Sequence, residues 1–237
     1  LVPYDPYEQD LANALTKPSA QHLFGTDRYG RDMLSRVILG AQTTVFSALA
    51  LVLIISVTGT VLGMIGGYFG GKIDDLIMRI SDLFLAFPGM VFAIAVAGVL
   101  SGGLKSAVIA LACISCPKFA RLARSQTLTV KEMPYIAAAK LSGCNGMQIL
   151  LRHIFPNIAG TMIVTAMLDI GTMMMELAGL SFLGLGAKPP VAEWGSMMSD
   201  TRNLLTTHPW VTFAPGIAIF LSVMAWRYGK GSVGSKK

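Results

Sequence analysis

The sequence predicts an all-α, polytopic membrane protein with five transmembrane helices and short cytoplasmic helices between them. Three observations predict it. Hydrophobic residues make up 53% of the 237 positions and charged residues only 14%. The mean hydropathy is +0.60, and uncharged apolar runs of membrane length recur along the chain. A soluble domain carries about 25% charge, so a bilayer is the environment this composition fits.

A helix needs about 20 apolar residues to cross a bilayer. The 21 residues from Val45 to Ile65 carry no charge and form the first predicted span. Leu83 to Leu100 is the second, with Pro88 near its start. Ser106 to Pro117 is short, but Lys105 and Lys118 can extend it by snorkelling to the polar boundary. Pro156 to Leu177 is the fourth, interrupted by Asp169, and Val211 to Trp226 is the fifth, with Trp210 and Trp226 as interface anchors. Three regions follow: an external segment 1–42, a transmembrane domain 43–226 containing a polar loop 118–156, and an atypical tail 227–237. Within 26–41, Met33, Leu34, Val37, Ile38 and Ala41 share one helical face, while Arg28, Arg31, Asp32, Ser35 and Arg36 fall mainly on the other. Thr26 or Asp27 can cap such a helix, which would either lie in the outer interface or pack on neighbouring spans.

The net charge of +6 and pI near 9.3 do not indicate nucleic-acid binding, because the basic residues cluster between apolar runs. Residues 118–152 hold Lys118, Arg121, Arg124, Lys131, Lys140 and Arg152 against Glu132 alone, whereas 178–210 hold two charges of each sign. The positive-inside rule places the first loop, the Lys72–Arg79 turn and the C-terminus in the cytoplasm.

Several fragments imitate other chemistry. Gly66-x4-Gly71-Lys72 has the frame of a phosphate loop, but Ile73 stands where a magnesium-binding Ser or Thr is required. Leu100-Ser101-Gly102-Gly103 resembles an ATPase signature but falls at the external end of a span. Gly63, Gly66, Gly67, Gly70 and Gly71 suit close helix packing and a tight turn. Cys113 and Cys116 form a C-x-x-C inside an apolar segment, where packing is the simpler role. His22, His153 and His208 lie far apart and make no catalytic constellation. The chain is therefore not expected to be an enzyme.

Thr165, Asp169, Thr172, Met173 and Glu176 line one face of the fourth span. A charge inside a bilayer costs about 2.5–3.5 kcal/mol on insertion scales. The face is either a water-filled translocation pathway or a place where Asp169 bonds a neighbouring helix and Met fills gaps. In the first case Asp169, Met173 and Glu176 could make transient contacts with a cation, with no fixed metal site.

The frame Tyr135-Ile136-Ala137-Ala138-Ala139-x3-Gly143-x9-His153-x-Phe155-Pro156 resembles the coupling loop of permeases in ATP-binding-cassette importers. Phe24-Gly25-Thr26-Asp27-x2-Gly30-Arg31-Asp32, Leu180-Ser181-Phe182-Leu183-Gly184-Leu185-Gly186 and Ala192-Glu193-Trp194-Gly195 are similar to the C-type permease of peptide and nickel importers, with nickel-type members most alike. The resemblance spans about residues 3–226. It implies an inner-membrane subunit of a bacterium or archaeon, paired with a homologous second permease. Two cytoplasmic ATPases using ATP and magnesium would grip the loop, an external binding protein would deliver cargo, and the chain itself would bind no cofactor. Arg121, Arg124, Ala137, Ala138, Ala139, Lys140, Gly143 and Pro156 would then form the coupling site. Three departures stand out: Ala137 replaces the family's glutamate, the first of the usual six spans is expected before Pro3 but absent there, and Arg227-Tyr228-Gly229-Lys230-Gly231-Ser232 replaces the family's usual end after the last span. Cargo is expected to be nickel, free or chelated, with di- or oligopeptides as the alternative. A passive channel or proton-driven transporter is the rival outside the family.

Overall fold

The computed structural model describes residues 2–228, so residues 229–237 of the atypical tail lie outside the described part. Among the described residues the secondary structure is helical, with one isolated bridge between Thr26 and Asp32. Helices α1 (Met33–Phe69), α2 (Gly71–Leu85), α3 (Gly89–Val99), α4 (Leu104–Lys131), α5 (Pro134–Leu141), α6 (Gly146–Ile149), α7 (Phe155–Phe182), α8 (Trp194–Thr201) and α9 (Pro209–Tyr228) follow in order. A π turn over Leu150–Ile154 joins α6 to α7.

Among the described residues four stretches are long and apolar enough to cross a membrane: α1, α4, Gly146–Phe182 and α9. A fifth is reached only if α2 and α3, bent by 94°, count as one broken span. The second expected span, 83–100, is therefore not one helix. Its first residues finish α2, the chain breaks before Pro88, and the 11-residue α3 is too short to cross alone. The third expected span is longer than foreseen. Pro117 does not end it, and α4 runs on to Lys131, so the first third of the polar loop is a continuation of a membrane helix. No separate interfacial helix exists at 26–41. Residues 26–32 form a turn, and the helix begins at Met33 and passes through position 42 without a break. Its cap is Asp32, whose Oδ2 accepts the Ser35 N–H at 2.8 Å.

The chain divides into two compact units. One contains residues up to Ala50, Ala93–Ala110 and everything from Ile170. Its centre is Trp194, which is buried, donates from Nε1 to the Val37 carbonyl (2.9 Å) and lies over Gly40. Glu193 caps α8 by accepting the Gly195 and Ser196 N–H groups at 2.9 and 2.8 Å. The Ala192-Glu193-Trp194-Gly195 stretch thus has a local structural account: a buried cap followed by a buried anchor.

The other unit contains Leu51–Phe92 and Leu111–Asp169. Here α1 packs on α4 through Gly59, Gly63 and Gly67, one residue per turn on a single face. A Cβ on Gly63 would fall 2.2 Å from the Ala120 carbonyl oxygen and 2.7 Å from the Ala123 Cβ. Only glycine permits this approach, which is how membrane helices associate without a hydrophobic driving force.

Candidate coupling site

The polar face of α4 places basic residues one turn apart at 118, 121 and 124, and each meets a carboxylate from another helix. Lys118 Nζ lies 2.6 Å from Asp169 Oδ1 on α7. Arg121 pairs with Asp82 of α2. Arg124 holds Asp74 of α2 through two N–H···O bonds, both 2.5 Å, in a bidentate fork. Lys131, at the end of α4, donates to the Tyr68 carbonyl at 2.7 Å. The basic residues of this stretch thus also join helices. Sequence reading assigned Arg121 and Arg124 to a partner and missed Asp74, Asp82 and Tyr68. The available signal was the presence of three acids, Asp74, Asp75 and Asp82, in a short amphipathic segment that precedes that basic loop.

The loop itself folds from strong local signals. Pro134 supplies the first residue of α5, with its φ already helical and no N–H to satisfy. The helix stops at Gly143, whose φ of +82° suits glycine. Around it, the Cys144 N–H returns to the Ala139 carbonyl (3.1 Å) and the Gly143 N–H to the Lys140 carbonyl (3.0 Å). Asn145 and Gln148 then exchange side-chain and backbone bonds of 2.9 Å as a capping box for α6. Ile136 and Ala139 of α5 are buried, while Ala137, Ala138 and Lys140 are exposed and Leu141 is 91% exposed. The outward surface is therefore two small residues beside a protruding leucine, adjoined by exposed Tyr135 and Met133. Pro156 is exposed at the second position of α7.

Along α7 the expected stripe is not uniform. Asp169 and Met173 are buried, Thr165 and Glu176 are half-buried, and Thr172 is exposed. The Thr165 hydroxyl bonds back to the Thr161 carbonyl at 2.9 Å. Asp169 Oδ2 is buried without a hydrogen-bond partner among the described residues, and its Oδ1 is held by Lys118, whose side chain is half-exposed. An ammonium in the middle of α4 is not stable against hydrocarbon, so that face requires protein or water against it. Among the described residues no three His, Cys, Asp or Glu side chains converge as metal ligands. Cys113 and Cys116 are free thiols.

The chain is thus a multi-pass helical protein whose long helices α4 and α7 are connected through a short, partly exposed helix. Residues 59–226 match the family of binding-protein-dependent transport system inner membrane components. The chain belongs to this family of importer permeases of the inner membrane. It is 42% identical to the dipeptide transport system permease protein of Alkalihalophilus pseudofirmus over 219 residues, 92% of this chain and 72% of that one. It is 39% identical to the nickel transport system permease protein of Escherichia coli, covering 95% and 81%. It is 41% identical to the glutathione transport system permease protein of Pectobacterium atrosepticum, covering 95% and 75%. The fold is shared with an inward-facing MetNI methionine ABC transporter, with a TM-score of 0.59 at 16% identity, over 83% of this chain and 95% of that one.

Proposed function

We propose that this chain forms half of a translocation pathway and is driven by two cytoplasmic ATPase subunits, one of them seated on α5. A homologous permease supplies the other half, and an extracytoplasmic binding protein delivers cargo. ATP and magnesium belong to the ATPases. The observation that carries this reading is the exposed surface of Ala137, Ala138 and Leu141 on a helix whose opposite face is buried. An apolar knob beside small residues is a shape that seats closely in a groove. The bidentate pair with Asp74 occupies Arg124, so the docking contact rests on α5 and Lys140, with the half-exposed Arg121 free to join it. Leu141→Asp should release the ATPases from the detergent-solubilised complex; full co-purification of the variant would refute docking through α5.

We propose short peptides as the cargo. Dipeptide and glutathione permeases stand among the relatives at 41–42% identity. The acid expected to touch a cation, Asp169, is engaged by Lys118, and Met173 is buried. Nickel, free or chelated, is the second reading, favoured by the 39% identical nickel permease and by the shared face of Asp169, Met173 and Glu176. Proteoliposomes holding the full complex separate the two. ATP-dependent uptake of a labelled dipeptide that excess nickel does not inhibit supports peptides. Saturable nickel uptake with no peptide uptake supports the second reading.

A further inference from the structure

The contacts around Tyr68 make the elbow between α1 and α2 more than a turn. Helix α1 ends at Phe69, Gly70 and Gly71 carry positive φ, and α2 starts at Gly71. On this elbow converge three successive parts of the coupling segment. Lys131, at the end of α4, donates to the Tyr68 carbonyl at 2.7 Å and sets its ammonium 5.7 Å from the ring centre. Lys140, on α5, lies 6.0 Å from the same ring centre. Gly146, at the start of α6, packs so closely that a Cβ there would stand 3.1 Å from the ring edge. Six residues on, Asp74 is clamped by Arg124. The elbow is thus held from α4, α5 and α6 together, and it is the point where α1 and α2 meet.

We infer that Tyr68 is a positioning residue for energy coupling: its ring and carbonyl transmit displacement of α5 to α1 and α2. The inference rests on ATPase docking at α5. A helix pushed by a partner moves its neighbours only through contacts that resist shear, and packed side chains pass such motion on as discrete shifts. Tyr68 offers a flat ring to two ammonium groups and a carbonyl to one of them. Cation–π contacts of this kind hold at ring-centre distances within about 6 Å. The contacts use the ring face and the backbone, so phenylalanine can replace tyrosine, whereas alanine cannot.

The test uses the complete complex in proteoliposomes, with ATPase retention, basal hydrolysis and cargo uptake per ATP read separately. For Tyr68→Ala the expected result is normal ATPase retention and basal hydrolysis, with uptake per ATP lowered about tenfold, within the usual range of coupling energies. Tyr68→Phe should stay near the parent value. Lys131→Met, which removes one ammonium and the carbonyl contact while leaving the ring, should lower uptake per ATP by a smaller factor and carries the test if Tyr68→Ala does not assemble. Parental uptake per ATP in whichever of Tyr68→Ala and Lys131→Met assembles overturns the inference, as does a Tyr68→Phe defect equal to that of alanine. Release of the ATPases by Leu141→Asp is scored independently, so failure of docking at α5 and failure of transmission through Tyr68 give different results.

Discussion

The two units handle charge in opposite ways. In the unit built from the N-terminal residues and those after Ile170, the charges of Asp27, Arg31 and Arg36 are buried and locally saturated, while Arg28 and Asp200 make a part-exposed pair at 3.7 Å. Asp27 is 3% exposed and accepts the Tyr29 and Arg31 N–H groups and Arg31 Nε at 2.8, 3.0 and 2.7 Å, while Arg36 lies at 3.6 Å and donates to the Pro6 carbonyl. In the unit of Leu51–Phe92 and Leu111–Asp169, ion pairs join separate helices, and the Lys118 and Arg121 side chains are about half-exposed. There the tight packing is done by Gly59, Gly63 and Gly67. The first arrangement fixes one conformation, since breaking it leaves a buried charge alone. The second is looser on its basic side, where water or another protein can reach the half-exposed Lys118 and Arg121, although Asp74 and Asp169 are themselves buried.

Removing a buried partner should break this contrast most severely. Asp27→Ala strands Arg31 and Arg36 and should destabilise the chain by about 3–5 kcal/mol, read as loss of monodisperse protein on heating in detergent. Gly63→Leu should follow. Overpacking typically costs about 1–3 kcal/mol, and the backbone of α4 stands too close to yield, so the upper end is expected, with lower thermal stability as the measure. Arg124→Ala should cost about 1 kcal/mol, because its pair is partly exposed and screened. The charge swap Asp74→Arg with Arg124→Asp should recover part of that loss in a double-mutant cycle. Arg121→Gln should be nearly silent in stability, within about 0.5 kcal/mol, since both partners of that pair are largely exposed. A large loss from Arg121→Gln, or a small one from Asp27→Ala, would erase the distinction between the units.

Hydropathy located the membrane segments because an uncharged run such as Val45 to Ile65 has no other stable environment. The boundaries were less readable. Pro117 looked like a terminus, yet α4 passes through it, since a proline inside a membrane helix is tolerated where neighbouring groups re-satisfy the backbone. Pro88 did mark a break, with α2 and α3 meeting at 94°. Local sequence does not distinguish these two prolines; tertiary packing does. The turn chemistry of the coupling segment, Pro134, Gly143 and the Asn145–Gln148 box, is local and was open to reading in advance. The partners of Arg124 and Lys118 were not, because Asp74 and Asp169 lie 50 and 51 residues away. Burial of Arg31 and Arg36 was hidden for a different reason, since their partner Asp27 is close in sequence. A charged helical face normally means solvent, and only the fold of residues 26–32 supplies Asp27 as counter-ion.

The central claim is that α5 is a cytoplasmic lever covered by ATPase subunits. Its most direct test is thiol accessibility at the protruding position of that helix. With Cys113, Cys116 and Cys144 replaced by serine, Leu141→Cys should react with a membrane-impermeant maleimide in inside-out vesicles and not in right-side-out ones. Co-expressed ATPases should protect it. Labelling from the outer side, or labelling undiminished by the ATPases, would contradict the account.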